Sequence, residues 1–295
     1  MKFTEKHFEQ ARSYIRDDAF PDWVLGFKTI VMGAPGAGKT SAIPTLLKLG
    51  FKVYGLFTEQ GIGNLLKACR MHGVTDEELA RLHYAYVPPG VTSFNQLQKS
   101  SKAIQLATEF GKMENTDRKQ YGQFIHVINL LNDFVDQHGV SHGSVESLTC
   151  GSVLFVDGMS NLARMAMQLT VGAKPVKTLQ EWGVAIESLE NLENQITTIK
   201  APFVLLTHIE REIDEVSRNV YVTVAALGSK YPIRIGRNYH DVIMAEQKAG
   251  EFTWSTTSKE AQLKGTYLPI ATGMKQDFRP LVCQWLMDNG LVKFE

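Results

Sequence analysis

Three cysteines in 295 residues, Cys69, Cys150 and Cys283, lie far apart and leave an odd thiol under any pairing. So few exclude a disulfide scaffold and suit a reducing cytoplasm. No apolar run approaches the roughly 18 residues that span a bilayer; the longest, such as Phe203-Val204-Leu205-Leu206, are strand-sized. Met1 to Lys6 are charged and carry no secretory apolar region. Neither sign of charge is in excess, since 31 Lys+Arg face 31 Asp+Glu. That balance excludes a polybasic protein whose nucleic-acid affinity comes from bulk charge, while leaving room for a local basic loop. Ten prolines and 24 glycines are ordinary usage, which removes collagen-like and low-complexity classes. The expectation is a cytoplasmic protein with no membrane segment.

What is present is a globular composition, 44% hydrophobic and 21% charged, able to bury a sizeable core. At about 150 residues per domain the length fits two average domains or one large one. No internal repeat or linker is visible, so one elaborated domain over 1–295 is expected. Its parts are a lead-in (1–26), a first unit (27–91), a helical insertion (92–151) and a second half (152–295).

Phe8, Ala11, Tyr14 and Ile15 recur at helical spacing and predict an amphipathic opening helix. Apolar strand-sized runs follow at Thr29-Ile30-Val31-Met32, at 53–58, at Tyr84-Ala85-Tyr86-Val87, at Val153-Leu154-Phe155-Val156 and at 203–207. Between them the spacing predicts helices over 39–49, 65–71, from Thr75, across much of 92–139, and over 178–200. Thr75-Asp76-Glu77-Glu78 and Thr178-Leu179-Gln180-Glu181 both have capping-box spacing. Pro44 falls early in the helix over 39–49, where it removes a donor. Phe124, Ile128, Leu131 and Val135 mark the expected buried face of the insertion. Strands that are apolar throughout and alternate with helices indicate an α/β fold with a mostly parallel sheet covered on both faces. The runs at 242–245, 252–254 and 267–268 read as antiparallel edge strands.

Gly33-Ala34-Pro35-Gly36-Ala37-Gly38-Lys39-Thr40 fits G-x-x-x-x-G-K-[ST] at every fixed position, between a strand and a helix. With average glycine usage such a match arises by chance on the order of once in a hundred chains of this length. The dinucleotide pattern G-x-G-x-x-G fails, because Ser41 stands where its last glycine belongs. Backbone amides of a glycine-rich turn and the following helix N-terminus suit phosphate. Gly33, Ala34, Pro35, Gly36, Ala37, Gly38, Lys39, Thr40 and Ser41 are thus expected to hold ATP, with Lys39 on the terminal phosphates and Thr40 on Mg²⁺.

Three polar residues end neighbouring strands. Asp157 closes the strand at 153–156 and is the expected second Mg²⁺ ligand. Glu59 closes 53–58 and could polarise an attacking water. His208 closes 203–207 and could sense a terminal phosphate.

With GAPGAGKTS from Gly33, YGLFTEQG from Tyr54, SVLFVDGMSNL from Ser152 and FVLLTHIERE from Phe203, the chain resembles RecA-like ATPases. It is most similar to the phage-type AAA-domain family that includes RecA-like single-strand annealing proteins. Residues 226–230 and the tryptophan strand around Trp254 add to the match, which runs from about Thr29 to Leu268. The resemblance implies a RecA-like fold, ATP hydrolysis with Glu59 activating water, Asp157 as the Walker B acid and His208 as sensor. It also implies a homo-oligomer acting on DNA, single-stranded DNA included, in the host cytoplasm of a phage. Such proteins complete their site with a basic residue from a neighbouring subunit. Lys230, Arg234 and Arg237, in the acid-free segment 225–239, are candidates for that contact or for DNA phosphate. Candidate DNA loops are 158–176 and 210–224, the second mixing acids with its arginines.

Two other readings use the same phosphate loop: a nucleotide-gated assembly or packaging factor without DNA contact, and a small-molecule kinase. The kinase would want an arginine-bearing lid and an acceptor-binding acid, and neither stands out. Phe8-x-x-Ala11 could dock on a neighbouring protomer, but its helix is expected to pack on its own core. Cys69-x-x-His72 and His138-x-x-x-His142 have no second pair at zinc-finger spacing, so no metal beyond Mg²⁺ is expected.

Overall fold

The computed structural model describes residues 2–16, 20–88, 90, 94–95, 98, 101–102, 121–172, 177–213, 220–228, 231–248 and 250–294. Six strands run parallel in its main sheet: β1 (Lys28–Gly33), β2 (Lys52–Phe57), β3 (Leu82–Tyr86), β4 (Ser152–Asp157), β5 (Phe203–Thr207) and β8 (Asp241–Lys248). With antiparallel β9 (Glu251–Ser255) and β10 (Met274–Lys275), the order is β10-β9-β8-β1-β5-β4-β2-β3. A separate hairpin, β6 (Ile209–Ile213) with β7 (Val220–Val224), leaves the end of β5. The fold is therefore α/β, mostly parallel, with antiparallel strands at the C-terminus.

The unbroken apolar runs follow from two cores. Successive side chains of a strand point to opposite faces, so Ile30 and Met32 enter one core while Val31 enters the other. Leu154 and Val156 divide from Val153 and Phe155 in the same way. The first core is closed by α5 (Gln123–Asn132), α6 (Met159–Val171), α7 (Leu179–Thr198) and α8 (Tyr231–Arg234). The second lies under α1 (Glu5–Tyr14), α2 (Pro44–Lys48), α3 (Ile62–Met71) and α9 (Arg279–Asp288). In α1, Phe8 and Ala11 are buried in that second core, and Arg279 of α9 covers the Phe8 ring. All three cysteines are buried and unpaired, and burial pushes their thiols up to about 11 or 12. Among the described residues no helix is long and apolar enough to cross a membrane.

Both predicted capping boxes form, at Thr75 with Glu78 on α4 (Asp76–Leu79) and at Thr178 with Glu181 on α7. Other expectations need correction. The helix over 39–49 is divided into a 3₁₀ turn, Lys39–Ala42, and α2, because Pro44 has no N–H to continue the ladder and instead starts α2. The strand at 242–245 is no edge strand: β8 lies parallel beside β1, with Val31 opposite Ile243. The chain re-enters the sheet there from the edge where β1 begins, and reverses only at β9. Tyr267-Leu268 forms no strand; with Thr266, its backbone N–H groups donate to the fully buried Asp241 carboxylate at 3.0–3.2 Å. In α5 the buried face is Phe124, Val127 and Leu131, while Ile128 is exposed and Val135 lies beyond the helix end. The first candidate DNA loop is largely α6, whose Met159, Leu162, Ala163 and Met165 are buried; 173–176 lie outside the described residues. The second is the β6–β7 hairpin, of which 214–219 lie outside the described residues, as does most of the 92–120 part of the expected helical insertion.

Phe155 sets a packing constraint on the sheet. Gly55 stands opposite it in the β2–β4 register, and a Cβ at Gly55 would lie 2.4 Å from the Phe155 ring. Gly55→Ala is expected to cost about 1–3 kcal/mol of stability by overpacking. In urea unfolding, Gly55→Ala combined with Phe155→Leu should recover part of that loss; simple additivity would show that the ring is not the obstacle.

Candidate functional site

Parallel strands place their carboxyl ends at one edge, and the registers bring four of them level. Met32 stands opposite Thr207, Leu206 opposite Asp157, and Asp157 opposite Phe57. The residues that follow are the phosphate loop after β1, Glu59 after β2, Asp157 at the end of β4 and His208 after β5. Five of the predicted site residues therefore meet in space: Lys39, Thr40, Glu59, Asp157 and His208.

Gly36 and Gly38 both take φ near +80°, a left-handed conformation that lets the loop turn on itself. Lys39 is buried, and its Nζ donates to Gly33 O at 3.0 Å and Ala34 O at 3.1 Å. It also lies 3.4 Å from Nδ1 of His208, whose Nε2 is 2.9 Å from Glu59 Oε2. A neutral imidazole protonated on Nε2 satisfies both contacts, donating to Glu59 and accepting from Lys39. Thr40 Oγ1 donates to Asp157 Oδ2 at 2.9 Å.

Burial and pairing oppose each other in this cluster. Burial pushes Asp157 up to about 6, outweighing the Thr40 hydrogen bond and the pull of Lys39. The hydrogen bond from His208 holds Glu59 below its ordinary value against burial. Burial lowers Lys39, offset by the charges of Asp157 and Glu59.

The donor set fits a small oxygen-seeking cation. Two neighbouring ligands of an octahedral Mg²⁺ at 2.0–2.1 Å lie about 3 Å apart, close to the 2.9 Å between the Thr40 hydroxyl and the Asp157 carboxylate. A cavity of about 960 Å³ adjoins the first half of the loop, with Ala34 to Ala37, Arg211 of β6 and Met244 to Lys248 of β8 among its walls.

Supporting residues came from places that no motif marks. Gln276 Nε2 donates to Ala37 O at 2.8 Å and Thr253 O at 3.1 Å, tying the phosphate loop to β9 from 239 residues away. A Cβ at Gly38 would lie 2.7 Å from the Phe252 ring, so β9 also presses on the loop. Gly158, at φ 112°, turns the chain out of β4; a Cβ there would lie 2.2 Å from Thr58 Oγ1. That Thr58 hydroxyl donates to Gly158 O, and Asn161 Nδ2 donates to Thr58 O, which together fix the backbone just before Glu59. The Asp-Gly pair was the one sequence signal of this turn.

The basic candidates are not brought to the cluster. Arg234 pairs with Glu190 of α7 at 3.1 Å, and Arg237 lines a separate cavity between the hairpin and α8. Lys230 lies outside the described residues. The acid-free segment is thus packed against the acidic helix α7, where Asn238 also donates to Glu193, a buried carboxylate.

No protein-family model matches the chain, and no curated protein matches it. Among solved structures the chain is similar to the RadB recombinase, with 14% identity, a TM-score of 0.41 and 84% of each chain covered. It is also similar to EscN, the assembled ATPase in complex with its central stalk EscO from the enteropathogenic E. coli type III secretion system. There the identity is 11% and the TM-score 0.39, over 76% of this chain and 42% of that one. A prototypical ATPase from the type III secretion system of pathogenic bacteria gives 11% identity and a TM-score of 0.37, over 76% and 53% of the chains.

Folding raises the Asp157 pKa from 3.8 to about 6, so the folded state holds the extra proton between those values. Stability from this group is therefore highest at low pH and falls as pH rises through about 4 to 6. Asp157→Asn, which keeps an acceptor for Thr40, should be more stable than wild type at pH 7.5 by about 2–3 kcal/mol without nucleotide. The gap should close by pH 4. Thermal melts of both proteins across this range test it, and a destabilised variant at pH 7.5 would refute the buried-anion assignment.

Proposed function

We propose that the chain is a Mg²⁺-dependent ATPase of RecA-like type. The observation that carries this reading is the convergence of Lys39, Thr40, Glu59, Asp157 and His208 on one sheet edge. Loop amides from Gly33 to Thr40 would cradle the phosphates, and Thr40 and Asp157 would hold Mg²⁺. The bound cation neutralises charge on the phosphates. Lys39 leaves the carbonyls of Gly33 and Ala34 to reach the same phosphates. Glu59 serves as general base for the attacking water, a task in which its hydrogen bond from His208 restrains it. When His208 turns to a terminal phosphate oxygen, the Glu59 carboxylate is released and its basicity rises. His208 thereby links occupancy of the site to activation of the base.

DNA recombination or single-strand annealing in a phage, by a homo-oligomer, is the role that the sequence resemblance supports. A nucleotide-gated assembly factor without DNA contact is the second reading, and the pairing of Arg234 with Glu190 favours it, because that arginine is already neutralised.

Lys39→Ala should abolish turnover and weaken nucleotide binding, as read by a fluorescent ATP analogue and by phosphate release. Glu59→Gln should bind nucleotide as wild type does while losing about 10²–10⁴ in turnover; full activity would reject Glu59 as the base.

For the DNA role, turnover is measured with and without single-stranded DNA, alongside a salt titration of DNA binding. Stimulated turnover and binding that falls linearly with the logarithm of salt concentration are expected. DNA-independent turnover with no binding would favour the assembly factor, and phosphate transfer to an added acceptor a kinase.

A further inference from the structure

At the β3 edge of the sheet, far in sequence from the phosphate loop, two histidines and an aspartate converge. His83 lies on β3, while Asp136 and His142 lie in the segment that follows α5. His83 Nδ1 is 3.1 Å from Asp136 Oδ2, and His142 Nε2 is 2.9 Å from the same oxygen. The other carboxylate oxygen, Oδ1, accepts the backbone N–H groups of His138 at 2.8 Å and Val140 at 3.1 Å. Those two bonds fix the carboxylate plane and turn Oδ2 toward both imidazoles.

The rings are held as firmly as the carboxylate. Their centroids are 4.1 Å apart; Tyr54 stacks on His83 at 5.1 Å and meets His142 edge-on at 5.3 Å. Phe134 in turn packs edge-on against Tyr54. Asp136 is buried, whereas the His83 and His142 side chains are 19% and 18% exposed, so the cluster meets solvent on one side. A cavity of about 410 Å³, lined by His83, Asp136, Asp76 and Tyr84 among others, opens beside it.

We propose that His83, Asp136 and His142 bind a Zn²⁺ ion, with solvent from the adjoining cavity as its fourth ligand. Ligands of a tetrahedral zinc at 2.0–2.1 Å stand about 3.3 Å apart, so the observed 2.9 and 3.1 Å need only a slight spreading around the ion. Two nitrogens and one carboxylate oxygen are a donor set that zinc accepts, and the backbone bonds to Oδ1 are the outer-shell support that such ligands need. The open side gives an entry path. Sequence spacing alone pointed elsewhere: the His138-x-x-x-His142 pair uses only one of its rings, and the other two ligands come from β3 and from Asp136. Zinc here would pin the segment returning from α5 onto β3 and close a loop whose ends, His83 and Asp136, are 53 residues apart in sequence. Zinc binding at this edge is independent of the nucleotide site.

The test uses the full chain, free of nucleotide and stripped with a chelator that is then removed. Titration with Co²⁺ should give a visible d–d absorption band saturating at one ion per chain and displaced by Zn²⁺. X-ray absorption on that cobalt adduct should report scattering from two imidazoles. Zn²⁺ at about a hundredfold excess over its Kd should raise Tm by about 5 °C. His83→Gln and His142→Gln should each weaken Co²⁺ binding at least about tenfold, while His126→Gln, on the exposed side of α5, should not. Absence of both band and Tm shift in the wild type overturns the proposal, as does a band that survives both ligand substitutions. The wild-type titration and absorption spectrum decide on their own, even where a ligand variant fails to fold; a cobalt spectrum without imidazole scattering would itself be negative.

Discussion

The hydrogen bond from Thr40 to the buried Asp157 carboxylate is the contact on which the candidate site depends. An unpaired carboxylate at that depth is costly, and β4 is buried along its whole length on both faces. The chain therefore ends an apolar strand with a group that apolar packing cannot accommodate alone. Thr40 supplies one compensating donor and Lys39 a nearby positive charge. Lys39 is itself buried and leans on two loop carbonyls, and His208 bridges it to Glu59. Every charge at this edge has a partner, yet each partner is one that a phosphate, a cation or a water could replace. A site of this kind is stable when empty and still ready to exchange its internal contacts for external ones.

Positioning of that edge reaches well beyond the residues that carry it. Gly158 turns out of β4 in a conformation that other residues rarely adopt, and its carbonyl accepts the Thr58 hydroxyl beside Glu59. Gln276 holds Ala37 and Thr253 together, and the Phe252 ring closes on Gly38. The antiparallel strands at the C-terminus thus brace the loop rather than merely capping the sheet. Disruption of β9 or β10 would loosen the phosphate loop without touching any residue of its motif.

Local patterns were legible in the amino-acid order, and long-range pairings were not. The phosphate loop, the two capping boxes and the apolar parallel strands each rest on residues within one turn or one strand of one another. Asp157, Glu59 and His208 were readable as strand ends, because a polar residue closing an apolar run stands out. The direction of β8 was not readable, since its apolar pattern suits either orientation and only the path through α8 decides. Gln276 carried no signal, because a lone glutamine near a short strand has no periodicity to break. The helix expected at 39–49 differs in continuity rather than in kind, Pro44 being allowed at a helix start but not across one. The imidazole pair at His83 and His142 was hidden because its members lie on opposite sides of a long excursion, while the spacing that drew attention, His138 to His142, joins only one ring to the cluster.

Charge balance takes on a different meaning once the pairs are placed. The 31 cations and 31 anions are not spread evenly, yet the two most lopsided segments face each other. Glu190 and Glu193 of α7 receive Arg234 and Asn238 from the acid-free segment, and Tyr231 also approaches Glu193. What reads along the chain as a basic stretch is, in space, half of an internal contact. An arginine engaged in this way would have to exchange Glu190 for DNA phosphate, gaining one charge-assisted contact and losing another. Such an exchange contributes little net affinity per chain, since exposed ion pairs are worth about 0–1 kcal/mol. DNA binding through Arg234 would therefore have to be assembled from many weak exchanges, which only an array of copies along a strand supplies. An oligomer is on this ground a physical requirement of a DNA role for this segment, whereas nucleotide binding at the Lys39 edge requires only the single chain.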